Sequence, residues 1–394
     1  MLSERKKEQN KIGILTLYHD NYNFGGLLQA YALPVALKKY LGINAEQIDY
    51  VFTPEKNDKN ITNVSSQSII YKLGVIFFNK LEKNNLSKRR NVFDQFIKEI
   101  PHSKECYEFD SISHVLNSYN SFICGGDQIW NDYTQLNWYG KNDSSVLTLR
   151  FVPDNMKKIS YAPSMGVFTL TNEFRKEFGN WVNRLDAISV REKKLLPEFE
   201  KMTNKAITVV VDPVLLLTER DWLNVMAYSP KKKKYILCYL LGDSIAQRKS
   251  VEKLARKVNC KIITFSHILE PAVRKCDLFF GDIHDYSSGP REFIGLIKNA
   301  EFVITDSFHA CVFSMIFETP FVVFERNKIG EKGNMNSRIY DFLEEYHLEN
   351  QLVTEKEMED MKEIPRIDYT YAHAHWKKRR EESLEYLANA LKDN

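Results

Sequence analysis

The sequence predicts an α/β protein of two Rossmann-like domains facing across a cleft. Three observations carry this. An apolar strand, a Gly-containing loop, a helix and a second strand open the chain between Lys11 and Val51. The same alternation restarts at Tyr235, beyond the polar stretch beginning at Ser229 (SPKKKKY). The strand-like runs are short and continuously apolar, as parallel strands buried on both faces are. At 394 residues the chain is long enough for two cores. The expected boundaries are 11–228 for the first domain, 229–353 for the second and 354–394 for a helical tail that packs back on the first.

In order, Lys11 to Leu17 reads as a strand, Tyr18 to Gly26 (YHDNYNFGG) as a loop, and Leu27 to Leu41 as a helix that Gly42 ends. Pro34 should kink that helix, because it removes a backbone bond. Ala45 to Val51 is the next strand and Phe52 to Gln67 a polar loop. Ser68 to Ile100 reads as one or two helices carrying Lys80, Lys83, Lys88, Arg89 and Arg90. A solvated face is the ordinary reading of such cations, and a platform for an acidic membrane surface the sharper one. Ser121 to Cys124 is a strand delivering Gly125, Gly126, Asp127, Gln128, Ile129, Trp130 and Asn131. The glycines let backbone approach a ligand closely. The indole could stack on a sugar or simply be buried. Leu147 to Val152 and Lys158 to Ala162 read as strands, the latter leading to Pro163-Ser164-Met165-Gly166.

Ala187 to Val190 is a further strand, followed by Arg191-Glu192 and a helix to Lys201. A cation is disfavoured at a helix N-terminus. Either a bound phosphate or carboxylate at Arg191 resolves that conflict, or an ion pair with Glu192 or another acid does; the anion is the expectation. Val209 to Val211 and Asp212-Pro213 close the first half. In the second half, Tyr235 to Leu241, Ile245 to Val258 and Cys260 to Phe265 alternate strand, helix, strand. The stretch from Gly289 to Arg326 is the focus of the chain. Pro290 starts a helix, Phe302 to Thr305 is a buried strand, Asp306 and Ser307 are turn and N-cap residues, and Ala310 to Phe317 is a second helix. His309 then sits where strand hands over to helix. Open parallel sheets bind ligands at the carboxyl ends of their strands, and helix N-termini attract anions, so the active site is expected here. Such a position keeps an imidazole neutral and available as a base. Ile339 to Tyr346 and Glu381 to Leu391 read as later helices.

The composition is 43% hydrophobic and 27% charged, ordinary for a soluble globular chain, and the net charge of +3 gives no general case for nucleic acid. Six cysteines form no CxxC pair and the N-terminus lacks a signal-peptide core, so reduced thiols in the cytoplasm are expected. No apolar run approaches a membrane span. Asp282, His284 and Asp285, or His373 and His375, lack metal-site spacing, and no metal or other cofactor is expected. Neither a Walker A loop nor a GxSxG elbow is present.

Together these segments resemble the polysaccharide pyruvyl transferase family. NYNFGGLLQAYAL, GGDQIWN, SYAPSMG, ISVREK, VVVDPVLLL, TDSFHACVFSMIFETPFVVF and NSRIYDFL look like its blocks in the right order, over roughly residues 11 to 353. Gly126, Pro163 and Pro34 depart from the commoner residues, and Ser307 stands where some relatives carry an Arg. A phosphate contact expected there must come from elsewhere, with Arg291, Arg326 and Arg338 as candidates. The resemblance implies a GT-B-like fold and transfer of pyruvate from phosphoenolpyruvate to sugar hydroxyls as a cyclic ketal, in exopolysaccharide, capsule or cell-wall glycan synthesis. It implies His309 and Arg191 as catalytic residues. Substrate would be bound by Asn23, Gly25, Gly26, Gln29, Gly126, Asp127, Gln128, Trp130, Asn131, Ser164, Glu192, Asp306, Ser307, Arg326 and Arg338. The partners are phosphoenolpyruvate and a glycan acceptor, free or lipid-linked, at a cytoplasmic location with the inner membrane face open as a contact. A nucleotide-sugar glycosyltransferase and a non-catalytic polysaccharide-assembly protein stay open as alternatives.

Overall fold

The computed structural model describes residues 11–18, 22–52, 78, 80–131, 140–166, 172–227, 234–265, 274–326 and 336–392. The loop expected after Phe52, the start of the basic segment and most of the polar stretch from Ser229 lie outside them.

The first sheet takes β1 (Lys11–Leu15), β2 (Asn44–Tyr50), β3 (His102–Tyr107), β4 (Ser121–Gly125) and β5 (Lys157–Tyr161), all parallel, in the order β3-β2-β1-β4-β5. Between β1 and β2 runs α1 (Phe24–Ala36). Its N-cap Asn23 accepts a hydrogen bond from Gly26 N at 3.2 Å, so the helix begins three residues before Leu27 and takes Gly25 and Gly26 into its first turn. Pro34 does not end it. The helix runs through to Ala36 and widens into a π turn over Leu37–Leu41, which Gly42 closes at φ 70°. Helix α2 (Lys83–Glu99) lies between β2 and β3 in the chain, and α3 (Gly140–Leu147) between β4 and β5.

The strand expected over Leu147 to Val152 is instead the end of α3 and a turn in which Leu149 adopts φ 56°. Its apolar residues are explained by burial, since Val146, Leu147, Leu149 and Val152 belong to the first core. After β5 come α4 (Asn172–Val182), β6 (Ile188–Val190), α5 (Leu196–Glu200) and β7 (Ile207–Val209). The pair β6-β7 is parallel and joins β5 through an Ile159–Ala187 bridge. The sequence placed the last strand two residues later.

Helix α6 (Glu219–Val225), with a Thr218–Asp221 capping box, precedes the second sheet. This sheet contains β8 (Tyr235–Tyr239), β9 (Lys261–Phe265), β10 (Ile283–Asp285), β11 (Phe302–Thr305) and β12 (Phe321–Val323) in the order β10-β9-β8-β11-β12, again all parallel. Each sheet therefore repeats the same doubly wound order, with its switch point between the first and fourth strands. Its helices are α7 (Ile245–Lys257), α8 (Pro290–Lys298) and α9 (Phe308–Ile316), followed by α10 (Ser337–Glu345), α11 (Glu355–Asp360) and α12 (Thr370–Ala390). Helix α8 starts as its sequence requires, with Pro290 at the first position and Glu292 accepting from Gly289 N at 3.0 Å. Helix α12 begins eleven residues before the terminal helix expected from Glu381.

The chain divides into two compact units. One comprises 1–55, 97–217 and 375–394, and the other 56–96 and 218–374. The first unit's core includes Ile48, Phe122, Ile129, Trp130, Phe178 and Trp181, and the second's Ile236, Val251, Leu254, Ile304 and Val322. The carboxyl-terminal part of α12 is fastened to the first unit by polar contacts to main chain. Trp376 Nε1 donates to Leu215 O at 2.8 Å, Arg379 Nη2 to Val209 O at 2.9 Å and Tyr386 Oη to Ser160 O at 2.9 Å. No helix among the described residues is long and apolar enough to cross a membrane.

Candidate functional site

At the first unit's switch point, β1 passes into Thr16 and β4 into Gly125-Gly126. Gln29, on the first turns of α1, is fixed between Thr16 Oγ1 and Gly26 O, both at 3.0 Å. Gly126 is in the left-handed region at φ 75°, and a Cβ there would lie 1.8 Å from Gln29 Oε1. The neighbouring Gly125 has the opposite constraint, because its Cβ would lie 1.8 Å from the Tyr161 carbonyl on β5. We therefore expect Gly125→Ala to part β4 from β5 and lower the thermal midpoint far more than Gly126→Ala, whose clash is with a side chain. Equal midpoints in thermal unfolding would contradict this geometry.

The turn after β4 is tied to the turn after β5. Ser164 N donates to Asp127 O at 2.7 Å, and Asn131 Nδ2 to Gln128 Oε1 at 2.8 Å. Ser164 Oγ donates to the Glu192 carboxylate, which also faces the Met165 and Gly166 amides at 3.4 and 3.5 Å. Gln29, Asp127, Gln128, Asn131, Ser164, Glu192 and Arg191 are thus brought to one polar edge. Asn23 stays an exposed helix cap. Trp130 departs from the sugar-stacking expectation. It is fully buried and packed edge-on to Phe178 and Trp181 at 5.2 and 5.1 Å. A ligand-stacking indole and a buried one have the same sequence appearance after a Gly-Gly turn; the aromatic residues of α4 decide between them.

Arg191 is also differently employed from its anion-gripping expectation. It precedes the short helical turn, its guanidinium pairs with Asp212, and Glu192 stands 3.8 Å away. Burial works against the charge, but Asp212, Glu192 and Asp127 outweigh it and hold the guanidinium pKa above its ordinary value. One cation faces three carboxylates, so the local charge is negative without any ligand. Asp212, which also accepts from Val214 N at 3.0 Å, carries the role that the sequence left to an outside anion.

The second unit's switch point lies between β8 and β11. The Asp306 carboxylate accepts from Leu241 N and Gly242 N at 2.7 and 2.6 Å, joining the two strand ends. Arg326 Nη2 donates to Asp306 O at 2.9 Å. Ser307 N donates to Thr305 Oγ1 at 3.0 Å, and Ser307 occupies the N-cap of α9 without a side-chain cap bond. Helix α9 starts at Phe308, not Ala310, so His309 is its second residue rather than part of the turn. His309 is only 6% exposed, and its ring lies 5.1 Å from Phe308. The Arg338 guanidinium carbon lies 5.9 Å from that same Phe308 ring, whereas Arg291 is tied to Val225 O at 2.6 Å. Of the three candidate arginines, Arg338 lies beside Phe308 and Arg326 is bonded to the turn before α9. Arg326 braces the turn.

A family model for polysaccharide pyruvyl transferases matches residues 23–328, more than half of the chain. The chain belongs to the polysaccharide pyruvyl transferase family. No curated protein matches the sequence. Among solved structures, Arabidopsis thaliana UGT89C1 complexed with UDP-L-rhamnose has a TM-score of 0.50 at 9% identity, covering 97% of each chain. A Polygonum tinctorium UDP-glucosyltransferase gives 0.48 at 10%, covering 98% of this chain and 99% of that one. UDP-GlcNAc 2-epimerase from Neisseria meningitidis gives 0.47 at 12%, covering 96% and 99%. With two parallel sheets of the same order, the fold of this family member is GT-B-like, as the sequence led us to expect.

In this family member, sequence reasoning missed Thr16, Asp212 and the Leu241–Gly242 turn as parts of the two switch points. Asp212 had a signal, an Asp-Pro directly after an apolar run. Gly242 had one too, at the end of β8. Among the described residues no three His, Cys, Asp or Glu side chains gather as a metal site. Asp282 pairs with Lys261 at 2.6 Å, His284 Nδ1 with Tyr286 Oη at 2.9 Å, and His373 with Met315 O at 2.8 Å.

Proposed function

We propose that this protein transfers pyruvate from phosphoenolpyruvate to two hydroxyls of one sugar, forming a cyclic ketal and releasing phosphate. The observation that carries the reading, given the family, is His309 in the first turn of α9 at the switch point of the second sheet. Phosphoenolpyruvate brings a phosphate and a carboxylate, and a helix N-terminus favours either. Arg338 is the nearby cation for one of them.

The first acceptor hydroxyl adds to C2 of the enol ester. His309 takes its proton and delivers one to the methylene, which becomes the methyl group. Phosphate then leaves C2, and a second hydroxyl of the same sugar bonds to that carbon, its proton passing to the departing phosphate. In this reading Arg191 does not touch the donor. It holds Glu192 and Asp212 in place, and the polar edge of Gln29, Asp127, Gln128, Asn131 and Ser164 supports the acceptor. A glycan on a lipid carrier at the inner membrane face fits this acceptor class.

The test is a thermal-shift titration of the purified protein with phosphoenolpyruvate, UDP and UDP-sugars. A ligand present at a hundred times its dissociation constant stabilises the folded state by about 2.7 kcal/mol. Stabilisation by phosphoenolpyruvate is the expected result. A shift with UDP compounds alone would replace this reading with nucleotide-sugar transfer.

A further inference from the structure

Within the second unit, helices α9 and α10 start close together. The Phe308 ring, at the first position of α9, lies 5.8 Å from the Phe342 ring of α10 and 5.9 Å from the Arg338 guanidinium carbon. Arg326 links the two starts by hydrogen bonds. Its amide donates to Asn336 Oδ1 at 3.0 Å, one residue before α10, and its Nη2 donates to Asp306 O at 2.9 Å, two residues before α9. Asn336 and Asp306 are therefore held one arginine apart.

Neither start has a side-chain cap. Asn336 gives its carboxamide oxygen to Arg326 and makes no cap bond to α10, and Ser307 makes none to α9. By contrast Thr218, Ser244 and Thr354 cap α6, α7 and α11. A nine-residue helix left in this way presents the positive end of its dipole. That alone is common; what sets α10 apart is Ser337, its first residue. Ser337 is 4% exposed, and its hydroxyl has no hydrogen-bond partner. Burying such a group costs free energy that an alanine would not. Other buried serines of this unit turn back on their own helix, Ser250 Oγ to Gln247 O at 2.7 Å and Ser314 Oγ to Ala310 O at 2.8 Å. Ser337 stands at the start of α10 and has no earlier turn of its helix to bond. Arg326 Nε is likewise buried without a hydrogen bond, with Asp306 Oδ1 3.8 Å away.

We infer that Ser337 and the amino end of α10 hold the phosphate of the ligand bound at this turn, with Arg326 beside them as its counter-charge. The start of α9, next to His309, then takes the carboxylate. The inference rests on the reading of the second unit as the phosphoenolpyruvate site. Phosphate is the better match to α10 because hydroxyl, amide and guanidinium are all donors, and its terminal oxygens are all acceptors.

The experiment compares wild type, Ser337→Ala and the control Ser250→Ala in thermal unfolding titrated with phosphoenolpyruvate and, separately, inorganic phosphate. Without ligand, Ser337→Ala should unfold at the wild-type temperature or above, because no hydrogen bond is lost. Its apparent Kd for both anions should be at least about tenfold weaker, the effect of losing a hydrogen bond to a charged group. Ser250→Ala should keep wild-type affinity. If Ser337→Ala does not fold, Ser337→Gly decides by the same comparison. Wild-type affinity for phosphoenolpyruvate in the folded Ser337 variant, or an equal loss in Ser250→Ala, overturns the inference while leaving pyruvyl transfer intact. A loss for phosphoenolpyruvate with phosphate binding unchanged also overturns it, since the serine would then serve the carboxylate. Stabilisation of wild type by phosphate but not phosphoenolpyruvate, lost in Ser337→Ala, supports the phosphate site and removes the pyruvyl donor. No stabilisation of wild type by either anion overturns the inference.

Discussion

His309→Gln is expected to lower phosphate release from phosphoenolpyruvate in the presence of acceptor by about 10²–10⁴-fold, the usual worth of a positioned acid–base group. The glutamine keeps much of the volume of the buried ring, so the α9 packing of Phe308 and Phe313 should survive and the thermal midpoint should move little. A neutral amide cannot relay the proton from hydroxyl to methylene. Phosphoenolpyruvate affinity should fall much less than turnover, because in the proposed reading the anion is held by the helix N-terminus and a neighbouring arginine, not by the imidazole. A well-folded His309→Gln protein with turnover within a few fold of wild type would remove histidine from the chemistry.

Asp212→Ala carries the largest expected effect on stability, a loss of about 3–5 kcal/mol, because it leaves a buried guanidinium without its principal carboxylate. Arg191 cannot relieve this by losing its proton, because a guanidinium stays charged in proteins. The N-cap bond to Val214 N goes with the same side chain. Replacing both partners by apolar residues, Arg191→Met with Asp212→Leu, should recover most of the loss, as buried ion pairs exchanged for packed hydrophobes often do. Urea unfolding of the three variants measures this directly. A loss under about 1 kcal/mol for Asp212→Ala would mean that the pair is solvated, and would return Arg191 to consideration as a ligand-binding cation.

The doubly wound pattern was legible because parallel strands buried on both faces leave short unbroken apolar runs, such as Phe302 to Thr305 and Tyr235 to Tyr239. Two of the edge strands do not. β3 (HSKECY) and β10 (IHD) are polar, carry only one strand neighbour each, and gave no periodic signal. The false strand at Leu147 to Val152 failed for the converse reason, because an irregular turn buried in a core is as apolar as a strand. At the site, residues set by local chemistry were found in place. Asp306 and Ser307 form the turn, and the glycines at 125 and 126 leave room for the Tyr161 carbonyl and the Gln29 side chain. What could not be read was pairing across the chain, Arg191 with Asp212 or Asp306 with Leu241 and Gly242. Those contacts depend on which strands lie adjacent. The depth of Trp130 was hidden likewise, being fixed by Phe178 and Trp181 some fifty residues away.

The path of α12 has a consequence for how the molecule assembles during synthesis. Val209 receives its hydrogen bond from Arg379, a separation of 170 positions, and Trp376 and Tyr386 reach back still further or nearly as far. Domains as a rule fold amino-terminal first as the ribosome advances. Here the unit that begins first must wait for a helix translated after nearly all of the other, while its own 56–96 segment is given up to that other unit. The two units ought therefore to mature together rather than in sequence, and a nascent chain stalled before His375 should hold the first sheet in a protease-sensitive state.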